Sequence, residues 1–324
     1  MTAPRVRFSI QTPLEGATFE VLARHWQAAE RLGYDSVWLD DHFYGVLTPQ
    51  SDDSLECWTL MAALARETST LRFGTLVACN GYRPPALVAK MAASVDHISG
   101  GRLEFGLGAG WYEQEFAAYG YEFPAIGTRL RQLDEALHIC RCMWTEERAT
   151  FAGRHHRVQQ AWCNPKPVQK PHPPIMIGGG GEKVLLRIVA QHADRWNFGG
   201  SVDEFRQKLP VLEAHCRAIG RNSATIEKSW FGNILIEPTE ERLQRRLAKR
   251  AERFGAAADQ LQGRMIAGTP ERVIARIKEF LAVGVTHFIA MFGRVDRLES
   301  TELFAREVIP AFRALGAASH GSPS

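Results

Sequence analysis

The segment with the clearest potential for proton transfer is Trp38-Leu-Asp-Asp-His-Phe43, which places two carboxylates directly before an imidazole. An acidic side chain beside a histidine can orient the ring and tune its pKa, so that it exchanges protons near neutral pH. The same residues also permit a structural interpretation, in which Asp40 or Asp41 caps a helix and His42 lies on the surface. The segment by itself leaves both interpretations open.

Two further segments combine small residues with groups that could contact a ligand. Cys79 precedes Asn80 and Gly81, which tolerate a positive φ angle, and its thiol could meet a substrate or simply pack as a small hydrophobe. The stretch Gly106-Leu-Gly-Ala-Gly-Trp111 is close to a dinucleotide-binding loop, but Trp111 stands where G-x-G-x-x-G requires its third glycine. These glycines instead let a flat ring approach the backbone, unless they only relieve crowding.

A run of four glycines, Gly178 to Gly181, precedes a segment with helical spacing, Val184–Gln191. Glycines at a helix N-terminus expose several N–H groups beside the positive end of the helix dipole. That arrangement binds anions, most naturally phosphate. The spacing is not that of a P-loop. A merely flexible loop is the alternative, and the composition favours a phosphate site.

Eight short apolar runs supply the strands that must position these segments. They are Val6–Ile10, Ser36–Leu39, Leu71–Val77, Leu103–Gly108, Pro174–Gly178, Arg195–Phe198, Ser229–Ile236 and Thr286–Phe292. Stretches with helical spacing separate them, and no hairpin signal interrupts the alternation. The pattern predicts an α/β fold, a (β/α)8 TIM barrel with the candidate residues at the carboxyl ends of its parallel strands. A doubly wound open sheet would show the same local pattern.

The chain is expected to form a single domain with one insertion. Residues 1–315 are assigned to the barrel, and residues 316–324, which are small and polar, to a flexible C-terminal tail. The connection from Thr145 to Pro173, between the fourth helix and the fifth strand, is too long for a simple loop and ends in a proline-rich run. We expect this insertion to lie near the barrel mouth and to form part of a lid.

The composition argues against several classes of function. A net charge of +3 is too small to indicate a nucleic-acid partner or an acidic membrane surface. No apolar run is long enough for a signal peptide or a transmembrane helix, so we expect a soluble, cytoplasmic protein. The six cysteines, at positions 57, 79, 140, 142, 163 and 216, match no zinc spacing and are expected to be reduced. No metal ligand is assigned.

These segments together resemble the luciferase-like monooxygenase superfamily, and more closely its branch of F420-dependent oxidoreductases. The most specific stretch is 82–111, which contains Asp96-His-Ile-Ser-Gly-Gly-Arg102. Asn164-Pro-Lys-Pro-Val-Gln169, the glycine run and Ala193-Asp-Arg-Trp-Asn197 follow in the family's order. The resemblance covers nearly the whole chain. Within its most specific stretch, Asp96 and Arg102 are expected to pair across a turn.

The resemblance implies roles for individual residues at the barrel mouth. Asp41 and His42 correspond to a pair near the deazaflavin ring, and Leu76-Val77 to a bulge with a non-proline cis peptide behind that ring. Trp111 replaces the glutamate proton donor of the sugar-phosphate dehydrogenase branch, so that activity is not expected, and a large apolar substrate face is. The expected cofactor contacts are Asp41, Leu76, Val77, Asn80, Ala109, Gly110, Gly178, Gly179, Gly180, Gly181 and Asn197, and the expected substrate contacts are Trp111 and Cys79.

The function implied is that of an F420-dependent oxidoreductase, which transfers a hydride between the deazaflavin coenzyme and a small organic substrate, with His42 as the catalytic proton donor. An FMN-dependent two-component monooxygenase, served by a flavin reductase, is the alternative within the same fold. A metal-dependent barrel hydrolase using Asp40, Asp41 and His42 is disfavoured, because no His-x-His pair follows the first strand. Most relatives pair through barrel helices, so a homodimer is expected.

Overall fold

Eight parallel strands close into a barrel in the computed structural model, which describes residues 5–46, 48–254 and 265–318. In chain order the strands are β1 Arg7–Thr12, β2 Ser36–Leu39, β3 Arg72–Thr75, β4 Ala78–Cys79, β5 Leu103–Gly108, β6 Arg148–Ala152, β7 Arg157–Trp162, β8 Ile175–Gly178, β9 Arg195–Phe198, β10 Glu227–Ile236, β11 Met265–Gly268 and β12 Val285–Met291. Around the barrel the order is β1-β2-β3-β5-β8-β9-β10-β12, and β12 pairs with β1 to close it. The predicted TIM barrel is confirmed, and the open sheet is excluded.

Helices follow the barrel strands and cover their outer faces. They are α1 Phe19–Arg31, α2 Cys57–Glu67, α3 Pro85–Ser99, α4 Glu113–Ala118, α5 Ile126–Thr145, α6 Leu185–His192, α7 Val202–Ala218, α8 Glu240–Phe254, α9 Pro270–Ala282, α10 Glu299–Glu307 and α11 Ile309–Ala318. Among the described residues, none of them is long and apolar enough to cross a membrane. The last helix continues to Ala318, past the predicted domain boundary at residue 315. Residues 319–324 of the predicted flexible tail lie outside the described residues.

The barrel strands are largely buried on both faces, and the face inside the barrel is partly polar. On β1, Phe8 packs against Phe304 in the helix layer, with ring centroids 5.5 Å apart. Successive side chains of a strand point to opposite faces. Ser9 therefore points into the barrel, where its hydroxyl lies 2.7 Å from Ser36 Oγ and 2.7 Å from His287 Nε2. These hydrogen bonds link the three interior side chains, while the other ring nitrogen of His287, Nδ1, lies 3.5 Å from Oε2 of Glu227.

The predicted third strand, Leu71–Val77, is interrupted in the structure. β3 ends at Thr75, the Leu76–Val77 peptide bond is cis, and β4 resumes the pairing with β5. The resemblance implied a cis bond at this position, and the structure contains it. The interruption lies at the carboxyl end of β3, so it shapes the face of the barrel on which the predicted site residues lie.

The expectation that Asp96 and Arg102 pair is wrong. Asp96 accepts hydrogen bonds from the backbone and side-chain nitrogens of Gln169, at 3.0 and 2.7 Å, and so fastens the proline-rich segment beneath the barrel. Arg102 instead donates to Thr68 Oγ1 at 2.9 Å and to the carbonyl oxygen of Leu71 at 2.8 Å. Both residues are buried, and each has found backbone partners that the sequence did not indicate.

The insertion between α5 and β8 contains an antiparallel hairpin, β6–β7, so the prediction of strand–helix alternation without a hairpin is wrong here. Both strands are short and carry few large apolar residues, so no alternating pattern marks them. At the turn, the backbone N–H groups of Arg154, His155 and His156 donate to the carboxylate of Glu135 on α5, at 2.8 to 2.9 Å. The turn reaches the barrel mouth, since His155 and His156 line a cavity with Asn80.

Candidate active site

A cavity of about 370 Å³ lies at the carboxyl ends of the barrel strands. This is the face on which TIM-barrel active sites are built, and the volume is in the range of small-molecule sites. Most of the predicted site residues line it: Asp41, His42, Leu76, Val77, Cys79, Ala109, Gly110, Trp111, Gly178 and Gly179. The structure thus brings together segments that follow four different barrel strands.

Four predicted cofactor contacts are not among the described residues that line this cavity: Asn80, Gly180, Gly181 and Asn197. Asn80 lines an adjacent cavity of about 460 Å³, which has Ala109 in common with the first. Asn197 is buried, and its side-chain amide donates to Ser229 Oγ at 3.0 Å, which links β9 to β10. The cofactor contacts predicted for these residues stay predictions.

His42 is oriented by a buried carboxylate that the sequence analysis missed. Its Nδ1 lies 2.7 Å from Oε2 of Glu115, a fully buried residue on α4. Glu115 also accepts hydrogen bonds from the backbone N–H of Phe43 and from the hydroxyl of Tyr82. Because Nδ1 faces Glu115, Nε2 is the ring nitrogen available to exchange a proton with a ligand in the cavity.

The surroundings raise the pKa values of two groups at the cavity, His42 and Asp40. Burial lowers the pKa of His42, but the hydrogen bond and the charge of Glu115, followed by the charges of Asp40 and Asp41, raise it above its usual value overall. Burial is the main cause that raises the pKa of the Asp40 carboxyl to about 7. Titratable groups with shifted pKa values that line a cavity are typical of acid–base sites.

Asp41 is engaged in a buried ion pair with Arg83, another residue that the sequence analysis missed. Its carboxylate accepts both terminal nitrogens of Arg83, at 2.8 and 3.0 Å, and the backbone N–H of Cys79 at 2.9 Å. Arg83 also pairs with Glu56 at 2.6 Å. Asp41 therefore fixes the segment that carries Cys79, and its direct contact with a cofactor stays a prediction.

The sequence offers little that would have identified Glu115. It lies with Glu113 on a short helix, and both are carboxylates in the first turn. Only their burial separates them, since Glu113 is exposed and Glu115 is not. The one available signal is the neighbouring Phe116, a large apolar residue that packs against Tyr82 with ring centroids 4.8 Å apart. It marks the inward side of this helix.

The two predicted substrate contacts differ in chemistry. Burial raises the pKa of the Cys79 thiol to about 12, so it lines the cavity as a neutral thiol and not as a nucleophilic thiolate. Trp111 is 65% exposed and meets His42 edge to face, with ring centroids 5.8 Å apart. Tyr112 lies beside it at 5.3 Å. Trp111 therefore presents an open aromatic wall next to the imidazole.

The glycine run contains residues with different constraints. Gly179 has a φ angle of +121°, and its N–H donates to the carbonyl oxygen of Asn197 at 2.9 Å. That N–H is therefore engaged within the barrel, and Asn197 acts by holding Gly179. Gly181 and the residues that follow it are exposed and lead into α6, whose N-terminus has no side-chain cap among the described residues. The N–H of Leu186 donates to the carbonyl oxygen of Gly181 at 3.0 Å, and the other N–H groups of this terminus remain candidates for a phosphate.

The structure gives no support to a metal-dependent hydrolase at the mouth. Such a site needs side chains that converge on one point. In the part of the chain that the structure describes, Asp40, Asp41 and His42 do not form a group that could hold an ion, and the group that does lies on α5 and α6. The charged segment after β2 instead carries the imidazole of His42, and its Asp41 fixes the segment that carries Cys79.

The amino-acid sequence of the chain is similar to those of known proteins. The model of a family described as "luciferase-like monooxygenase" matches residues 5–287. The F420-dependent glucose-6-phosphate dehydrogenase of Amycolatopsis mediterranei is 26% identical, over 89% of this chain and 93% of the relative. The FMNH(2)-dependent dimethylsulfone monooxygenase of Pseudomonas putida is 27% identical, over 89% of this chain and 86% of the relative. Both are oxidoreductases, which supports that class for this chain.

Solved structures agree with the fold. An F420-dependent secondary alcohol dehydrogenase, in complex with an F420-acetone adduct, superposes with a TM-score of 0.83 at 22% identity, over 96% of this chain and all of that chain. The coenzyme F420-dependent tetrahydromethanopterin reductase from Methanopyrus kandleri superposes with a TM-score of 0.80 at 20% identity, over 95% of this chain and all of that chain. The shared architecture is the closed barrel described above.

Proposed function

Because the chain belongs to the luciferase-like monooxygenase family, we propose that it is an F420-dependent oxidoreductase, which transfers a hydride between the deazaflavin and a small organic substrate. The observation that carries this proposal is the His42–Glu115 pair at the cavity, because hydride transfer to or from a carbon–oxygen bond needs a group that moves a proton. The F420-dependent relative from Amycolatopsis mediterranei supports the choice of cofactor.

The residues of the cavity fit a flat ring with a phosphate-bearing chain. Leu76 and Val77 offer an apolar surface, and a Cβ added to Gly108 would come within 2.6 Å of Val77 Cγ2, so that wall is closely packed. The uncapped N-terminus of α6 offers backbone N–H groups for a phosphate. When bound, a deazaflavin supplies a ring carbon that gives or accepts a hydride.

The chain's own residues would hold the substrate and move the proton. Glu115 keeps the imidazole of His42 in one orientation, so that Nε2 faces the substrate oxygen. In oxidation of an alcohol, Nε2 takes the hydroxyl proton, and in reduction of a carbonyl group it returns one. Trp111, as the aromatic wall beside His42, shields that oxygen from water and favours a substrate with an apolar face.

An FMN-dependent two-component monooxygenase is the second candidate. The dimethylsulfone monooxygenase of Pseudomonas putida, which is as similar in sequence as the F420-dependent relative, favours it. The same cavity and the same uncapped helix would then hold FMN, and a separate flavin reductase would be the partner protein. A homodimer is part of both proposals, and light scattering with a mass near twice 36.2 kDa would support it.

The two cofactors are separated by titrating the purified protein with F420 and, separately, with FMN, while absorption and fluorescence are recorded. The proposal requires saturable quenching and a shift of the deazaflavin band with F420, and at least tenfold weaker binding of FMN. Tight binding of FMN with none of F420 would contradict the F420 assignment and favour the monooxygenase. The readout is binding, so it needs no knowledge of the substrate.

A further inference from the structure

A group of potential metal ligands lies on the outside of the barrel, away from the cavity. Asp134 and His138 are four residues apart on α5, so both side chains project from the same face of that helix. His192 is the last residue of the neighbouring helix α6. One ligand atom of each of these three residues lies within 4.8 Å of the others.

The spacing of these side chains is close to that of a transition-metal site. The Asp134 carboxylate lies 2.8 Å from His192 Nε2, and the rings of His138 and His192 are 4.5 Å apart, at 85°. In a tetrahedral zinc site, bonds of about 2.0–2.1 Å place neighbouring ligand atoms about 3.3 Å apart. His138 is exposed, so rotation of its side chain can bring the third nitrogen to that distance.

We propose that Asp134, His138 and His192 bind a divalent first-row transition cation, with water completing the coordination. Two imidazoles and one carboxylate are the ligands that zinc and its neighbours accept.

The surrounding charges limit the affinity. Arg187 acts on Asp134 and Arg141 acts on His138, so two guanidinium groups oppose an added cation. We therefore expect a dissociation constant for Zn²⁺ in the micromolar range, well above that of a closed structural site. His138 also stacks on Phe151 of β6, with ring planes 14° apart. A bound cation would thus join α5 to α6 and steady the hairpin.

The test uses the full chain after treatment with a chelator. Titration with Co²⁺ should produce the visible absorption bands of a four-coordinate complex. Calorimetric titration with Zn²⁺ should show one equivalent bound per chain, with a dissociation constant in the micromolar range. His138→Ala should weaken this binding at least 30-fold, without loss of the fold, since the side chain is exposed. Zn²⁺ at 100 times the wild-type dissociation constant should raise the melting temperature by about 4 °C in the wild type and by only about 1 °C in His138→Ala.

His97→Ala is the matched control, because it removes an exposed histidine from the neighbouring helix α3 and leaves the three proposed ligands intact. It should bind Zn²⁺ as the wild type does. Equal affinity in the wild type and in His138→Ala would overturn the proposal, and so would the absence of any Co²⁺ bands. In either case the Asp134–His192 contact is only a hydrogen bond between two helices. Neither result depends on the cofactor assigned to the barrel mouth.

Discussion

The two ends of the barrel both carry buried charges, but they arrange them differently. At the amino-terminal end, Glu104 pairs with Arg7 at 2.7 Å and with Arg72 at 2.8 Å, and it also contacts Arg195. Glu227 pairs with the same Arg7 and Arg195, at 2.9 and 2.7 Å. These side chains compensate one another and form a closed network.

At the mouth, the buried carboxylates of Glu115 and Asp41 instead position groups that line the cavity. Glu115 orients His42, and Asp41 fixes the segment that carries Cys79. The cavity at the opposite end is larger, about 910 Å³ against about 370 Å³. Volume therefore does not identify the active site. The functional end is marked instead by buried charges that hold a proton-exchanging group toward a cavity.

The largest expected effect is at the mouth, from His42→Ala. If His42 moves the proton, turnover should fall about 10²- to 10⁴-fold, while the affinity for F420 changes less than about threefold. Single-turnover kinetics at saturating cofactor would measure the first value, and fluorescence titration the second. A variant with near-normal turnover and weakened cofactor binding would show that His42 only packs against the ring.

At the opposite end, Glu104→Gln should reduce stability and leave turnover per folded molecule unchanged. The amide removes the charge that compensates three guanidinium groups, and breaking a buried ion pair in this way costs about 3 to 5 kcal/mol. Urea unfolding would measure the loss. Glu279→Gln, which breaks the exposed pair with Arg276 on α9, is the control and should cost less than about 1 kcal/mol.

The same network predicts the response to acid. Although burial raises the pKa of Glu104, the charges of Arg195, Arg7 and Arg72 lower it to about 2. An unfolded glutamate titrates near pH 4.3, so the unfolded state takes up this proton first as the pH falls. The stability that Glu104 contributes is complete above about pH 4.5 and is lost toward pH 2. Glu104→Gln should be less sensitive to pH across that window.

The sequence predicted the barrel because each strand is a short apolar run and each helix carries regular apolar spacing. It also placed His42, Gly178 and Gly179 at the mouth, where they line the cavity, since parallel strands bring their carboxyl ends together. It missed Glu115 and Arg83 because their partners are distant in the chain, and charge alone does not show which carboxylate turns inward. The hairpin was missed for a similar reason, because its turn is held by Glu135 and not by an alternating pattern.

A smaller effect is expected at the phosphate end of the mouth, from Gly181→Val. A Cβ at Gly181 would make only an ordinary contact with Leu185, at 3.5 Å, so the fold should be preserved. The side chain would block an anion from the N-terminus of α6 and weaken F420 binding about tenfold. Gly179 and Gly180 are unsuitable for this test, because a Cβ there would come within 2.6 Å of Leu185 and 2.5 Å of Phe198.

Gly127→Val is the matched control for that substitution. A Cβ at Gly127 meets only the end of Arg131, at 3.7 Å, on the first turn of α5. Its F420 affinity should equal that of the wild type, as judged by the same fluorescence titration. Unchanged affinity in a folded Gly181→Val variant would show that the cofactor phosphate does not bind at this helix terminus. The cofactor site would then consist, among the described residues, of the cavity alone.

The smallest effect is expected from the substitution Asp40→Asn. It tests whether the charges at the mouth contribute to the pKa of His42. Asp40→Asn keeps the shape of the side chain and removes a charge that raises the pKa of His42. The pKa of His42 should therefore fall, but only slightly, since Glu115 supplies the larger contribution. In the wild type, alcohol oxidation needs the neutral imidazole, so turnover should rise as the pH rises through the pKa of His42, and carbonyl reduction should fall.

In Asp40→Asn the midpoint of that pH profile should move to lower pH for either direction of reaction, because both depend on the same imidazole. Asp203→Asn, at the exposed start of α7, removes an equal charge far from the cavity and should leave the midpoint in place.

The amide of Gln11 donates to Asp40 at 3.1 Å, while its oxygen is buried without a partner among the described residues. With that amide reversed, the oxygen would accept a proton held by Asp40. A midpoint that does not move would mean that Asp40 keeps this proton while His42 titrates, and that its charge does not contribute to the pKa of the imidazole.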